Sequence, residues 1–279
     1  MTVRIVTDSS CDLPQALADR LGITIVPLSI RFGDEEFIDR TTITADEFWA
    51  RCNASPVLPE TAAPSPGQFE TEYRRLKAEG ATAVVVVALS SSLSATMQSA
   101  ELAARDVAPD IDVRIVDSRN ASMGLGLIAL ECAEAALAGA NADAVVALAE
   151  GLVPRTHVFG ALDTLENLKK GGRIGGAKAM LASALSIKPL IEVRNGLVEE
   201  AGKQRTRSKA LAHLVDILRQ NADKLERVGI LHAQCADIDQ FVASVRTVWS
   251  GDVIVGDIGA VIGTHAGVGT IGIAFRVSQ

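Results

Sequence analysis

The protein has 279 residues, of which 48% are hydrophobic but only 4% are aromatic. This length accommodates two domains, whose cores must be built mainly from aliphatic side chains. The formal net charge is −7, which argues against nucleic acid as a partner because phosphate binding requires clustered Lys and Arg.

Cysteine usage and the chain start both favour a cytoplasmic protein. The four cysteines lie far apart and form no C-x-x-C pair, so neither a zinc site nor a redox pair is expected. The first residues read as a strand rather than a signal peptide. The most apolar helical stretch, residues 121–140, contains Glu131 and Glu134 and is too polar to cross a membrane.

The first half of the chain alternates strand and helix patterns. Asp12 and Pro14 predict an N-cap and first helical turn, and capping boxes start at Thr44 and Ser65. The run 83–89, AVVVVAL, is typical of a central parallel strand that is covered on both faces. Further strands are predicted at 3–7, 23–30 and 113–116, and helices at 94–107 and 123–138. The order predicts a doubly wound parallel sheet.

The pattern changes near residues 151–155, which divides the chain into domains 1–153 and 154–279. Helices are predicted at 164–170, 177–185, 209–221 and 237–249, and strands at 157–162 and 228–232, with two more at the C-terminus. Asn195-Gly196 lies between strands 189–194 and 197–201, a strong hairpin signal. We therefore expect an α/β fold of two domains, the second with a mixed or antiparallel sheet, and a ligand between them.

The segment after strand 83–89 is rich in hydroxyl groups. Residues 90–96 read SSSLSAT and join a buried strand to a helix start, where α/β folds place ligands and where free N–H groups attract an anion. Helix capping alone would need only one or two of these hydroxyls. Since no Lys, Arg or glycine cluster accompanies them, they favour a carboxylate over a polyphosphate.

A glycine-rich segment near the C-terminus carries His265. Gly267, Gly269 and Gly272 match G-x-G-x-x-G, but a strand rather than a helix follows, and no acidic residue lies about twenty positions on, which excludes a dinucleotide site. A histidine in such a loop can donate to an anion. Asp8 follows the first strand and serves either as a catalytic base or metal ligand or, more simply, as a cap for the Ser9–Ser10 turn.

Basic residues recur at every second position from Lys203 to Lys209. In an extended chain they would share one face, either protecting a strand edge or docking an acidic partner. A second basic group surrounds Gly171-Gly172 and comprises Lys169, Lys170, Arg173 and Lys178.

Taken together, these segments resemble the DegV family, the fatty-acid-binding subunits of bacterial fatty acid kinase. The resemblance covers nearly the whole chain and depends on the order of seven segments: IVTDSSCDLP, TAAPSPGQF, LSSSLSATMQSA, IVDSRNASMGLG, LENLKKGGRI, KQRTRSKA and GTHAGVGTIGIAF. It implies that a long-chain fatty acid lies between the two domains.

The resemblance also implies roles for particular residues. The carboxylate-binding positions fall on Thr61, Ser91, Ser90 and His265, and the arginines implicated in work with the kinase fall on Arg173 and Arg205. The sequence departs from the family pattern at Ala62, Ala63, Ala95 and Val268, which bears on the shape of the pocket mouth.

The implied activity is presentation of the carboxylate to an ATP-dependent kinase subunit. This protein would need no cofactor or metal, would not be an enzyme by itself, and could contact a membrane transiently. Two alternatives remain at this point. One is a small-molecule phosphotransferase or hydrolase that uses His265 and Asp8 between the domains; the other is a lipid sensor.

Overall fold

The computed structural model describes residues 2–55 and 57–279, apart from the side chains of 183–186. The strands are β1 (Val3–Asp8), β2 (Thr24–Val26), β3 (Ser29–Phe32), β4 (Glu35–Ile38), β5 (Glu60–Ala62), β6 (Ala83–Ala88), β7 (Asp112–Asp117), β8 (Thr156–Ala161), β9 (Lys188–Arg194), β10 (Leu197–Gln204), β11 (Leu225–His232), β12 (Val253–Asp257) and β13 (Ile271–Val277). The α-helices are α1 (Gln15–Leu21), α2 (Ala45–Ala54), α3 (Pro66–Ala78), α4 (Thr96–Val107), α5 (Ser122–Leu137), α6 (Ala142–Leu152), α7 (Glu166–Lys170), α8 (Arg207–Gln220), α9 (Ile238–Arg246) and α10 (Ala260–Ala266).

The first sheet is parallel throughout, with the strand order β2-β1-β6-β7. All six residues of β6 are buried. Because side chains alternate along a strand, Val85 and Val87 pack with α5 and α6, while Val84 and Val86 pack with α3 and α4. Helices therefore cover both faces, which confirms the doubly wound prediction.

The second sheet has six strands in the order β10-β9-β8-β13-β11-β12. Only β11 and β12 pair in parallel; the other neighbours are antiparallel. The predicted mixed sheet is thus confirmed. The strands of the two larger sheets lie within residues 3–117 and 156–277, while the boundary between 1–153 and 154–279 stays a prediction.

Helix α5 lies between the two larger sheets. It contacts β1 and β6 on one side and β8, β11 and β13 on the other. Eleven of its sixteen residues are buried, since it is apolar around most of its circumference, as expected of a helix enclosed by protein. One hydrophobic core consequently runs through both halves of the molecule.

A small antiparallel sheet, β4-β3-β5, was not predicted. The single strand expected at 23–30 is wrong, because the chain turns at Pro27 and divides into β2 of the parallel sheet and β3 of the small sheet. This sheet matters for function because β5 carries Thr61.

The expected helix cap at Asp12 is also wrong. Asp12 has a left-handed backbone (φ 50°), and Pro14 precedes α1 without a side-chain cap. The Asp12 carboxylate instead accepts hydrogen bonds from Ser122 Oγ at 2.6 Å and from the Gly259 backbone N–H at 2.9 Å. The capping boxes at Thr44 and Ser65 are both confirmed.

Three predictions for the C-terminal half need correction. The segment around His265 is helix α10 rather than a glycine-rich loop. The basic residues from Lys203 to Lys209 do not share one strand face, because β10 ends at Gln204 and α8 begins at Arg207. The Arg207 guanidinium is paired with Asp237 at 2.7 Å. The segment Gly175–Ser186 forms 3₁₀ turns where an α-helix was expected, and α6 was not predicted.

Candidate functional site

A largely aliphatic cavity, here called the central cavity, lies between the two larger sheets. It encloses about 920 Å³ of unfilled space, including the part that opens to solvent. Its aliphatic lining comes from both halves of the chain and includes Leu28, Leu89, Leu93, Leu162, Leu168, Ile191, Val193, Val198, Leu231, Ile258, Val261 and Ile262. Such a lining suits an apolar ligand.

The central cavity adjoins a polar space, here called the vestibule. Three residues line both spaces: Thr61, Arg173 and His265. The rest of the vestibule is lined by Val57, Leu58, Pro59, Glu60, Asn167, Lys170, Gly171 and Thr264. The three shared residues therefore mark the place where an apolar ligand with a polar end would change environment.

Thr61 and His265 form a pair at this mouth. Thr61 Oγ1 lies 3.1 Å from His265 Nε2, although the two residues are 204 positions apart. Thr61 is held by the pairing of β5 with β3, and His265 by the last turn of α10. When the ring proton is on Nε2, the imidazole donates to Thr61 and leaves the threonine hydroxyl proton free for an anionic ligand.

His265 is electrically neutral at neutral pH. Burial, together with the charge of Arg173, lowers the pKa of the imidazole to about 4. Its buried Nδ1 has no hydrogen-bond partner within the described part of the chain. The close approach of Gly171 explains how the ring fits, since a Cβ at that glycine would lie 2.3 Å from Nδ1.

Arg173 supplies a positive charge at the mouth, contrary to the expectation of a site without cations. Its Nε donates to the Leu93 carbonyl at 3.1 Å and its Nη1 to the Gly171 carbonyl at 2.7 Å. No carboxylate within residues 2–55 and 57–279 pairs with Arg173 or with the exposed Lys170. Both cations are thus available to an anion in the vestibule.

The hydroxyl-rich segment contributes differently from the prediction. Ser90 is fully buried and donates to the Gly196 carbonyl at 2.7 Å, while the exposed Ser91 donates to Asp117 at 2.5 Å. Neither lines the central cavity, whereas Ser94 does. One turn separates Ser90 and Ser91 from Ser94, and the sequence could not tell which hydroxyl faces the ligand. The geometry thus brings together Thr61 and His265 but not Ser90 and Ser91.

Asp8 lines neither the central cavity nor the vestibule. It caps the 3₁₀ turn Ser9–Cys11, as the simpler interpretation held, and accepts hydrogen bonds from the backbone N–H groups of Ser10 and Leu89. Burial raises the pKa of its carboxyl, and it does not line the central cavity. The proposed use of Asp8 with His265 in catalysis therefore has no geometric basis.

Two further observations concern metal binding and the position of Arg205. Within the described residues, no group of three or more His, Cys, Asp or Glu side chains is arranged to bind a metal ion. Arg205 is exposed beyond the end of β10 and lines neither the central cavity nor the vestibule.

Two residues of the vestibule, Asn167 and Gly171, escaped sequence reasoning. Asn167 Nδ2 donates to the Thr264 carbonyl at 3.0 Å and so ties α7 to α10. The LENLKKGGRI segment contains both Asn167 and Gly171 and could have indicated them. Its basic residues were instead interpreted as a second basic group on the surface.

Comparisons with known proteins agree with this architecture. The family model described as "Uncharacterised protein, DegV family" matches residues 2–277. A DegV domain-containing protein of Streptomyces coelicolor is 38% identical over 276 residues, which cover 97% of each chain.

The chain belongs to the DegV family.

Two solved structures, the first of them a DegV family protein, have the same fold. One from Thermus thermophilus, reported for its fatty acid binding, has a TM-score of 0.89 and 35% identity, with both chains fully covered. A stearic-acid-binding protein of Eubacterium ventriosum has a TM-score of 0.90 and 25% identity, with 98% of each chain covered. As in the sequence prediction, no described helix of this DegV protein is both long and apolar enough to span a bilayer.

Proposed function

We propose that this DegV protein binds a long-chain fatty acid, with the acyl chain in the central cavity and the carboxylate at Thr61, His265 and Arg173. The main support for this proposal is that an aliphatic cavity opens to a polar vestibule at those three residues. The fatty acid binding described for the Thermus thermophilus and Eubacterium ventriosum proteins supports the same ligand class.

Burial of the hydrocarbon provides most of the expected affinity. Each methylene removed from water contributes about 0.8 kcal/mol, so a long acyl chain gains strongly from an aliphatic enclosure. The carboxylate needs hydrogen-bond donors and a counter-charge where it leaves that enclosure. Thr61 and His265 supply the donors, and Arg173 supplies the charge.

We further propose that the bound carboxylate is presented to an ATP-dependent kinase subunit, which forms an acyl phosphate. The vestibule leads to the carboxylate position, and Lys170 adds positive charge there. Phosphoryl transfer requires a nucleotide and Mg²⁺, for which this sequence has no phosphate-binding motif, so the partner would supply them. The rival functions are a hydrolase or phosphotransferase acting in the same cavity, and a lipid sensor without a kinase.

Lipid analysis tests the binding proposal directly. Protein purified from bacteria should release fatty acid on extraction, and protein stripped of lipid should bind palmitate or oleate again. His265→Ala should weaken binding by about 1.5–3 kcal/mol, since one donor to a charged group is lost while the chain remains buried.

His213→Ala is the matched control because that histidine lines neither space. Failure of the stripped wild-type protein to bind either acid would refute the proposal. Turnover of substrate without a partner would favour the hydrolase instead.

Arg205→Ala tests the partner proposal. It should leave fatty acid affinity unchanged and slow acyl phosphate formation by the cognate kinase, with the defect shrinking at high salt because charge steering is screened. Arg246→Ala is a suitable control, since that arginine is also exposed and also pairs with no carboxylate in the described chain. Equal turnover of both variants and the wild type would contradict a docking role for Arg205.

A further inference from the structure

Two glycines lie side by side where the six-stranded sheet forms a wall of the central cavity. Gly160 on β8 is the register partner of Gly272 on β13, and both line the cavity. Side chains alternate along a strand, so Val158 and Leu162 share the face of Gly160, and both of these also line the cavity. At the glycine pair the cavity wall consists of backbone atoms alone. On β8, aliphatic side chains line the cavity before and after Gly160.

The backbone does not require glycine at position 160. Neither Gly160 nor Gly272 has a positive φ, so other residues can adopt both conformations. A Cβ at Gly160 would lie 3.3 Å from Leu162 Cδ1 and 3.6 Å from Ile191 Cγ1, both side-chain atoms, and 4.0 Å from the Ile271 carbonyl oxygen, which is ordinary contact distance. At Gly272 the nearest atom would be the Phe159 carbonyl oxygen at 3.2 Å, which gives that glycine a local steric reason.

Glycine within a strand weakens the strand and often marks the close approach of a ligand. At Gly272 a backbone carbonyl at 3.2 Å accounts for the small residue, but at Gly160 the tightest neighbour is the end of the Leu162 side chain, and the nearest backbone oxygen is 4.0 Å away. What the missing side chain at Gly160 provides is space in the central cavity itself. That space lies next to Ile191, which pairs with Gly160 on the other side of β8.

We infer that Gly160 is a specificity-determining residue for the acyl chain. The chain lies directly on the sheet backbone at the glycine pair, and the missing side chain sets how long or bulky an acid fits. The inference rests on the proposed function. A methyl group added at Gly160 takes up about the space of one methylene, so the longest acids should lose affinity first.

The test compares stearate with myristate on lipid-stripped protein. In Gly160→Ala the ratio of stearate affinity to myristate affinity should fall about fourfold, the factor that corresponds to the exclusion of one methylene. Gly151→Ala is the matched control: it adds the same methyl group at an exposed position of α6, where a Cβ would meet nothing within 4 Å. An unchanged ratio in Gly160→Ala would overturn the inference.

A second variant covers the case in which Gly160→Ala folds poorly. Ile191→Ala enlarges the cavity beside the same glycine and should shift the ratio towards stearate, and the absence of such a shift would also overturn the inference. The lipid-free Gly160→Ala protein should melt at or above the wild-type temperature, because alanine loses less chain entropy than glycine on folding. If stripped wild type binds neither acid, the proposed function fails; if it binds both and the variants keep its ratio, only the role of Gly160 fails.

Discussion

The mouth of the central cavity depends on a close contact between two residues that carry no charge. Gly171 follows α7, and the imidazole of His265 lies against it with Nδ1 directed towards the glycine. The position has an ordinary backbone conformation (φ −74°), so the requirement for glycine is steric. Any side chain there would occupy the volume that the imidazole now fills.

Gly171→Ala should therefore act as a His265 variant without altering His265. The new Cβ would lie 2.3 Å from Nδ1, 2.8 Å from Cε1 and 3.1 Å from the Asn167 carbonyl oxygen. The ring must leave its present position, which disturbs its contact with Thr61, and fatty acid affinity should fall by about 1.5–3 kcal/mol. Displacement of a fluorescent fatty acid measures the loss.

Thermal unfolding of the lipid-free protein separates this effect from misfolding, with Gly151→Ala as the control for an added methyl group. Wild-type affinity in Gly171→Ala would show that the position of the imidazole does not govern carboxylate binding.

The hairpin of β9 and β10 links the two halves of the molecule. Its turn residues, Asn195 and Gly196, both have positive φ (54° and 83°), as a two-residue hairpin turn requires. The Gly196 carbonyl accepts from Ser90 Oγ, and the Asn195 carbonyl accepts from Arg119 Nη2 at 3.1 Å. The turn therefore rests on the loops that follow β6 and β7, and a Cβ at Gly196 would lie only 2.7 Å from Ser90 Oγ.

Ser90→Ala and Ser91→Ala should have different consequences. Ser90→Ala removes the donor to the buried hairpin carbonyl and should lower the free energy of unfolding by about 1–3 kcal/mol. Ser91→Ala removes a hydrogen bond at an exposed position and should cost less than about 1 kcal/mol, with fatty acid affinity unchanged.

Urea unfolding and fatty acid titration of both variants decide this. If Ser91→Ala weakens fatty acid binding while leaving stability intact, the carboxylate assignment made from the sequence is right and the assignment made from the geometry is wrong.

At the scale of the whole molecule, Asp12 joins three elements. It follows the 3₁₀ turn after β1, and its carboxylate binds Ser122 at the start of α5 and Gly259 at the start of α10. Burial raises the pKa of Asp12 to about 7, although the hydrogen bonds from Ser122 and Gly259 and the charge of Arg40 oppose that rise. Since α10 carries His265, Asp12 is the buried link between the parallel sheet and the mouth.

This pKa predicts how stability depends on pH. In the unfolded chain Asp12 titrates near pH ~3.9, so between that value and about 7 the folded protein binds more protons. Its contribution to stability is therefore fully present below the unfolded pKa and is lost as pH rises towards 7, by at most about 1.4 kcal/mol per pH unit. His265, whose pKa is lowered to about 4, contributes with the opposite sign, so only a difference between variants isolates Asp12.

Asp12→Asn should remove this pH dependence. The free energy of unfolding of wild type minus that of Asp12→Asn should decrease from pH ~4 to ~7 and stay constant above, measured by urea unfolding at each pH. Asp106→Asn, at an exposed position on α4, is the matched control for the chemical change itself. A difference that is constant across this range would mean that Asp12 keeps its charge in the folded protein.

Local sequence patterns determined most of the secondary structure. The valine run of β6, the capping boxes at Thr44 and Ser65, and the Asn195-Gly196 turn were all read correctly because each depends on residues a few positions apart. The pattern failed at Asp12, where a side chain suited to a local cap binds Ser122 and Gly259 instead, 110 and 247 positions away.

The sequence predicted the α/β class with a parallel and a mixed sheet, and its resemblance to the DegV family implied Thr61 and His265 as candidate carboxylate-binding residues. Only the tertiary structure decided that Ser94 rather than Ser90 or Ser91 faces the cavity, and that Arg173 lies at its mouth. The physical reason is that spacing along the chain fixes which residues share a strand or helix. Which side chain meets a cavity depends on how α10, β5 and the hairpin pack, through contacts between residues that are far apart in the chain.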